Sequence, residues 1–138
     1  MQEIYKDANS EEWHFDENSY ILSETDSKGL ILYANDLFCE MAGYKQEELI
    51  GVPHNVVRHP DMPRIAFKGL WDDIQSKGFW NGIVKNLRKD GGYYWVNATA
   101  LRKIHDDGRV TYLSIRRVPS RVDVKNCITL YARLKSKE

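Results

Sequence analysis

Two short connectors, Lys89-Asp90-Gly91-Gly92 and His105-Asp106-Asp107-Gly108, divide the stretch from Trp80 to Val118 into three β-prone runs. Asp-Gly supplies the positive φ that tight hairpin turns need, so runs at about 80–88, 93–104 and 110–118 read as an antiparallel meander. Upstream, Tyr20-Ile21-Leu22 and Leu30-Ile31-Leu32-Tyr33 flank Asp26-Ser27-Lys28-Gly29, whose residues favour another turn and hence a β-hairpin.

Helical signals fill the space between hairpin and meander. Asn35 and Asp36 stand where an N-cap belongs, ahead of Leu37, Phe38, Met41 and Ala42 at helical spacing, with Gly43 as the stop. A short helical piece follows at Gln46–Leu49, closed by Gly51. Residues 54–63 read as irregular because Pro53, Pro60 and Pro63 lack backbone donors. Phe67, Leu70, Trp71 and Ile74 recur at i, i+3, i+4, i+7, predicting a helix from about Pro63 to Lys77 that Gly78 ends. Two strands, several helices and three strands make an α+β chain: a five-stranded antiparallel sheet with helices covering one face.

The ends add an N-terminal cap segment at 1–18 and a C-terminal helix at 121–138, outside a main domain at 19–120. Ile4, Tyr5, Trp13 and Phe15 suggest a short amphipathic helix docked outside the main fold. Val124, Ile128, Tyr131 and Leu134 mark a helix expected to leave the domain for output or homodimerisation. Lys plus Arg (20) balances Asp plus Glu (20), so the charge that drives non-specific nucleic-acid binding is missing. Cys39 and Cys127 lie outside any CxxC spacing, which argues against zinc and fits a reducing compartment. Neither a signal-peptide pattern nor an apolar run of the ~20 residues needed for a membrane span occurs. The expected location is cytoplasmic, with membrane association only through a partner.

Strand parity points to a cavity. In 93–104 the register Tyr94, Val96, Ala98, Ala100 lacks strongly polar groups, whereas Asn97, Thr99 and Lys103 occupy the other, so the small-residue register should face the helices. Trp80, Gly82, Val84 and Asn86 share one parity of the preceding strand. A buried Asn has several hydrogen-bonding sites to satisfy, so Asn86 either reads a ligand or bonds backbone across the sheet. In Asn55-Val56-Val57-Arg58-His59-Pro60-Asp61-Met62-Pro63, Arg58 is suited to an anionic group, His59 to stacking or donation, and Asp61 to a hydroxyl or ring N–H. The structural alternative makes Asp61 a helix N-cap paired with Arg58.

Leu32-Tyr33-Ala34-Asn35-Asp36, Met41-Ala42-Gly43-Tyr44, Glu48-Leu49-Ile50-Gly51 and Lys89-Asp90-Gly91 resemble PAS domains. The run from Pro53 to Pro63, with Gly82-Ile83-Val84-Lys85-Asn86, is similar to the aerotaxis-receptor subgroup; the likeness covers roughly 15–131. That resemblance implies non-covalently bound FAD whose redox state is reported to a chemotaxis transducer or HAMP-containing signalling protein. By resemblance, Asn35, Arg58, His59, Asp61, Phe67, Trp80 and Asn86 line or support the flavin pocket, with Trp71 an additional aromatic candidate. Membrane receptors of that subgroup continue into transmembrane, HAMP and signalling regions. The chain therefore reads as an excised domain or as the stand-alone PAS protein of a bipartite energy-taxis system.

The rivals are a haem gas sensor and a cofactor-free interaction module. Haem needs an axial ligand, and no His occurs between Arg64 and Ile104. A flavin–cysteinyl photosensor would need a thiol beside the pocket, which 54–62 lacks. No nucleophile–base pair, phosphate loop or helical zinc motif is recognisable, so the chain reads as non-enzymatic.

Overall fold

The meander forms β3 (Phe79–Leu87), β4 (Tyr93–Ile104) and β5 (Val110–Arg117) in the computed structural model, which describes residues 8–138. The upstream hairpin forms β1 (Ile21–Asp26) and β2 (Ile31–Ala34), and its turn is closed by Asp26 Oδ1, which accepts from the Lys28 and Leu30 amides at 2.9 Å. The five strands run in the order β2-β1-β5-β4-β3, all neighbours antiparallel. First and last strands therefore meet in the middle.

Between β2 and β3 come α1 (Asp36–Ala42), α2 (Gln46–Leu49), a 3-10 turn (His54–Val57) and α3 (Arg64–Lys77). Asn35 caps α1 by accepting from the Phe38 amide, and Gly43 and Gly78 end α1 and α3 in the left-handed conformation. The 3-10 turn occupies the start of the stretch that the prolines led us to read as irregular. Ile21, Ile31, Phe38, Met41, Leu49, Met62, Tyr94 and Val96 form a single core where the inner sheet face meets these elements.

Two terminal expectations change. Residues 8–18 form no helix; instead Glu12 bridges β4, the Trp13 amide donating to Tyr93 O at 2.7 Å and the Tyr93 amide donating to Glu11 O at 3.0 Å. The reason is an open backbone edge, because pairing of β4 with β5 begins only at Asn97 and leaves Tyr93 needing partners. Ile4 and Tyr5 lie outside the described residues. The second change concerns α4 (Arg121–Lys135), which folds back over the outer sheet face instead of leaving it. Val124 is 1% exposed, the Tyr131 ring stacks on Trp95 at 6.4 Å, and its hydroxyl donates to Ile83 O at 2.6 Å. Trp95 and Ile83 offer an apolar surface on that side, and covering it outweighs projection into water. Ion pairs hold both ends of the helix: Arg121 to Glu12 at 2.8 Å, and Glu138 to Arg64 at 3.3 Å.

Candidate functional site

Because β3, β4 and β5 pair Trp80 with Ala100, Gly82 with Ala98 and Ala100 with Ser114, their even-numbered side chains share the inner face. Between that face and α3 lies a cavity of about 350 Å³, within the range of small-molecule sites. Val96, Ala98 and Ala100 make a low floor beside Trp80, Val84 and Asn86, while Phe67, Leu70, Trp71 and Ile74 form the opposite wall. Small residues against aromatic and aliphatic walls suit a flat ring system. Lys28, Asn55 and Trp71 are exposed and Arg58 is half-buried, so the cavity opens along their rim.

The buried end carries polar chemistry. Arg116, 2% exposed, donates to Ser23 Oγ at 2.7 Å and to His54 Nε2 at 3.0 Å, while its guanidinium lies 4.5 Å from the centre of the Phe38 ring. Its Nε–H has no acceptor, and no carboxylate among the described residues pairs with it. Burial pushes the Arg116 pKa down to about 10, still cationic at neutral pH. His54 is held neutral: burial first, then the Arg116 charge, pushes its pKa down to about 3. A buried cation with an unused donor calls for an electron-rich group from the cavity side.

A family model described as the PAS fold matches residues 31–116. This chain belongs to the PAS family. The PAS domain is 44% identical over 100 residues to the aerotaxis receptor of Escherichia coli K12, a match covering 72% of this chain and 20% of that protein. It is 29% identical over 119 residues to a nitrogen fixation regulatory protein of Klebsiella oxytoca, covering 86% of this chain and 23% of the relative. The chain thus spans about a fifth of the length of these curated relatives. Among solved structures, a light-oxygen-voltage domain described with a flavin analogue superposes with a TM-score of 0.69 at 20% identity, covering 82% of this chain and 87% of that one. A PAS domain from Colwellia psychrerythraea gives 0.66 at 24% identity, over 74% and 87%. These likenesses establish the fold.

Within the PAS domain, five of the eight residues singled out in the sequence line the cavity: Arg58, Phe67, Trp71, Trp80 and Asn86. Arg58 lies 4.2 Å over the Phe67 ring, and its backbone bridges that of Asn86, joining rim loop to floor. Trp71 packs edge-on against Tyr112 at 5.3 Å. The other three do not line it. Asn35 ties α1 to β1, accepting from the Phe38 and Leu22 amides and donating to Tyr20 O. His59 is buried and accepts the Asp61 amide at 3.0 Å; burial, then the Lys85 charge, pushes its pKa down to about 4. Asp61 pairs with Lys85 at 2.8 Å, so it neither caps α3 nor pairs with Arg58. Ser23, His54 and Arg116 escaped the sequence reading, although Arg116 shares parity with Tyr112 and Ser114 along β5.

Proposed function

We propose that this PAS domain is a flavin-based redox sensor that holds FAD in the cavity and passes its redox state to a chemotaxis partner. The carrying observation is the pairing of flat, largely apolar walls with the buried, carboxylate-free Arg116. Such a site favours a planar ligand with electron-rich heteroatoms at one edge, and an isoalloxazine ring meets that description. When bound, the flavin supplies reversible one- and two-electron chemistry. Arg116 and Ser23 orient its polar edge, Trp80 and Phe67 flank its faces, and Asn86 offers an amide able to donate or accept. Arg58 and Lys28 stand at the rim, where a dinucleotide tail would emerge, which favours FAD over FMN. Similarity to the aerotaxis receptor supports the role in energy taxis, with a transducer or HAMP-containing protein as the receiver. The Tyr131 bond to Ile83, next to cavity residue Val84, provides a route from β3 to α4. Homodimerisation would use the exposed side of α4, where Ile128 is 52% exposed.

The haem alternative gains nothing from the geometry, because His54, the cavity's histidine, already directs Nε2 toward Arg116 and Ser23. The test is the absorption spectrum of the purified protein, followed by heat release and chromatography of the chromophore. Flavin bands and predominantly FAD are expected. A Soret band would replace this reading with haem, predominantly FMN would overturn the dinucleotide assignment, and a colourless protein that refuses FAD would leave an interaction module.

A further inference from the structure

Gly82 occupies the centre of β3 without a positive φ, so its backbone does not require glycine. Space does. A Cβ placed there would stand 2.3 Å from Cζ2 and 2.5 Å from Cη2 of Trp80, closer than unbonded carbons approach. The Trp80 indole therefore lies along the strand, over the place where a side chain at 82 would stand. Strand side chains ordinarily project from the sheet, and an indole doing so here would enter the cavity. Opposite Gly82 and Trp80 on β4 are Ala98 and Ala100, whose small side chains leave room on the inner face beside the ring.

We propose that Gly82 is a positioning residue for the cavity: by lacking a side chain it keeps Trp80 flat on β3 and so preserves the slot for a planar ligand. The proposal rests on the flavin reading for the ligand's identity, whereas the Trp80 geometry belongs to the ligand-free protein. A methyl group at 82 must lift the indole into the slot, because the obstacle on the other side is the sheet itself.

The experiment compares wild type, Gly82→Ala, Trp80→Ala and the double variant in the 138-residue chain. Near-ultraviolet circular dichroism and acrylamide quenching of tryptophan fluorescence are read on ligand-free protein, and FAD affinity by titration. Gly82→Ala should change both tryptophan signals and weaken FAD about tenfold or more, as expected for overpacking. In the Trp80→Ala background the same substitution should change neither signal nor affinity, because the colliding ring is gone. Equal damage in both backgrounds, or unchanged tryptophan signals in Gly82→Ala, would overturn the proposal. Should Gly82→Ala not fold, recovery of folding in the double variant supports the collision with Trp80, and failure of both overturns it. If wild type binds no FAD, the flavin reading fails while the tryptophan signals still decide the role of Gly82.

Discussion

Two arginines, Arg88 just after β3 and Arg116 near the end of β5, are almost equally buried, at 5% and 2% exposure, yet they serve opposite ends. Every nitrogen of Arg88 is bonded: Nε and NH2 donate to Asp90, NH1 donates to the carbonyls of Glu40 and Met41 at the close of α1, and the guanidinium lies 3.4 Å over the Trp13 ring. Arg116 also stacks on an aromatic ring, but its partners are a hydroxyl and a neutral imidazole, and its Nε has none. A buried charge whose every nitrogen is bonded within its own fold is a rivet. One left partly unpaired beside a cavity is a receptor.

That contrast can be broken most forcefully at the rivet. Arg88→Met strands two helix-end carbonyls and the counter-charge on Asp90, and should cost about 3 kcal/mol in urea unfolding while leaving the FAD affinity of the folded protein unchanged. Arg116→Met should do the reverse, with ligand-free stability near wild type and FAD affinity reduced about tenfold or more, the loss of a charge-assisted hydrogen bond of roughly 1.5–3 kcal/mol. A large stability loss with unaltered FAD binding would make Arg116 a second rivet.

The histidines sharpen the comparison through pH. His54 and His59 are neutral in the fold, with pKa values near 3 and 4 against an ordinary 6.5. The unfolded chain therefore binds more protons below pH ~6.5, and stability should fall on acidification, down to about pH 4 for His59 and about pH 3 for His54. The slope is at most about 1.4 kcal/mol per pH unit for each. His59→Gln should flatten the stability profile between pH 6.5 and 4 as measured by chemical unfolding. Arg116→Met should move only the His54 share, because it removes a positive neighbour of that ring. An unchanged profile in both variants would contradict the neutral-histidine assignment. The smallest effect belongs to Asn86. Asn86→Ser should retain FAD and shift its midpoint by about 20 mV, the equivalent of about 1 kcal/mol in a two-electron couple. Spectroelectrochemical titration measures it, and a wild-type potential would reduce Asn86 to a sheet residue.

The hairpins, the α3 stripe and the inner parity of β3 and β4 were legible in sequence because each depends on local periodicity or turn chemistry. The two terminal segments were not. Their conformations answer to surfaces assembled elsewhere: the open backbone at Tyr93 pairs with Glu11 and Trp13, and Trp95 with Ile83 draws α4 back. The cavity shows the same division. Trp80, Asn86 and the alanines declared themselves by alternation, but β5 runs against that rule. Ile115 is 37% exposed on the outer face while Arg116 is buried, so hydrophobicity alone would turn the strand the wrong way round. The resemblance named Asn35, His59 and Asp61 as lining or supporting the pocket; the structure leaves all three out of the lining and makes Asn35 a cap and His59 and Asp61 partners within their loop and to Lys85.

The central placement of β1 beside β5 also governs the order of events during synthesis and folding. Ser23 and Arg116 are separated by 93 positions, and Ile21 pairs across the sheet with Arg116 itself. Contacts of such range carry a heavy loop-closure cost and are made late. Until β5 emerges and inserts between β1 and β4, the N-terminal hairpin lacks its principal neighbour and the cavity lacks its charged end. Under the proposed function, ligand capture would then wait for the last step of sheet assembly, and a chain that had acquired its ligand would be a chain whose sheet had closed.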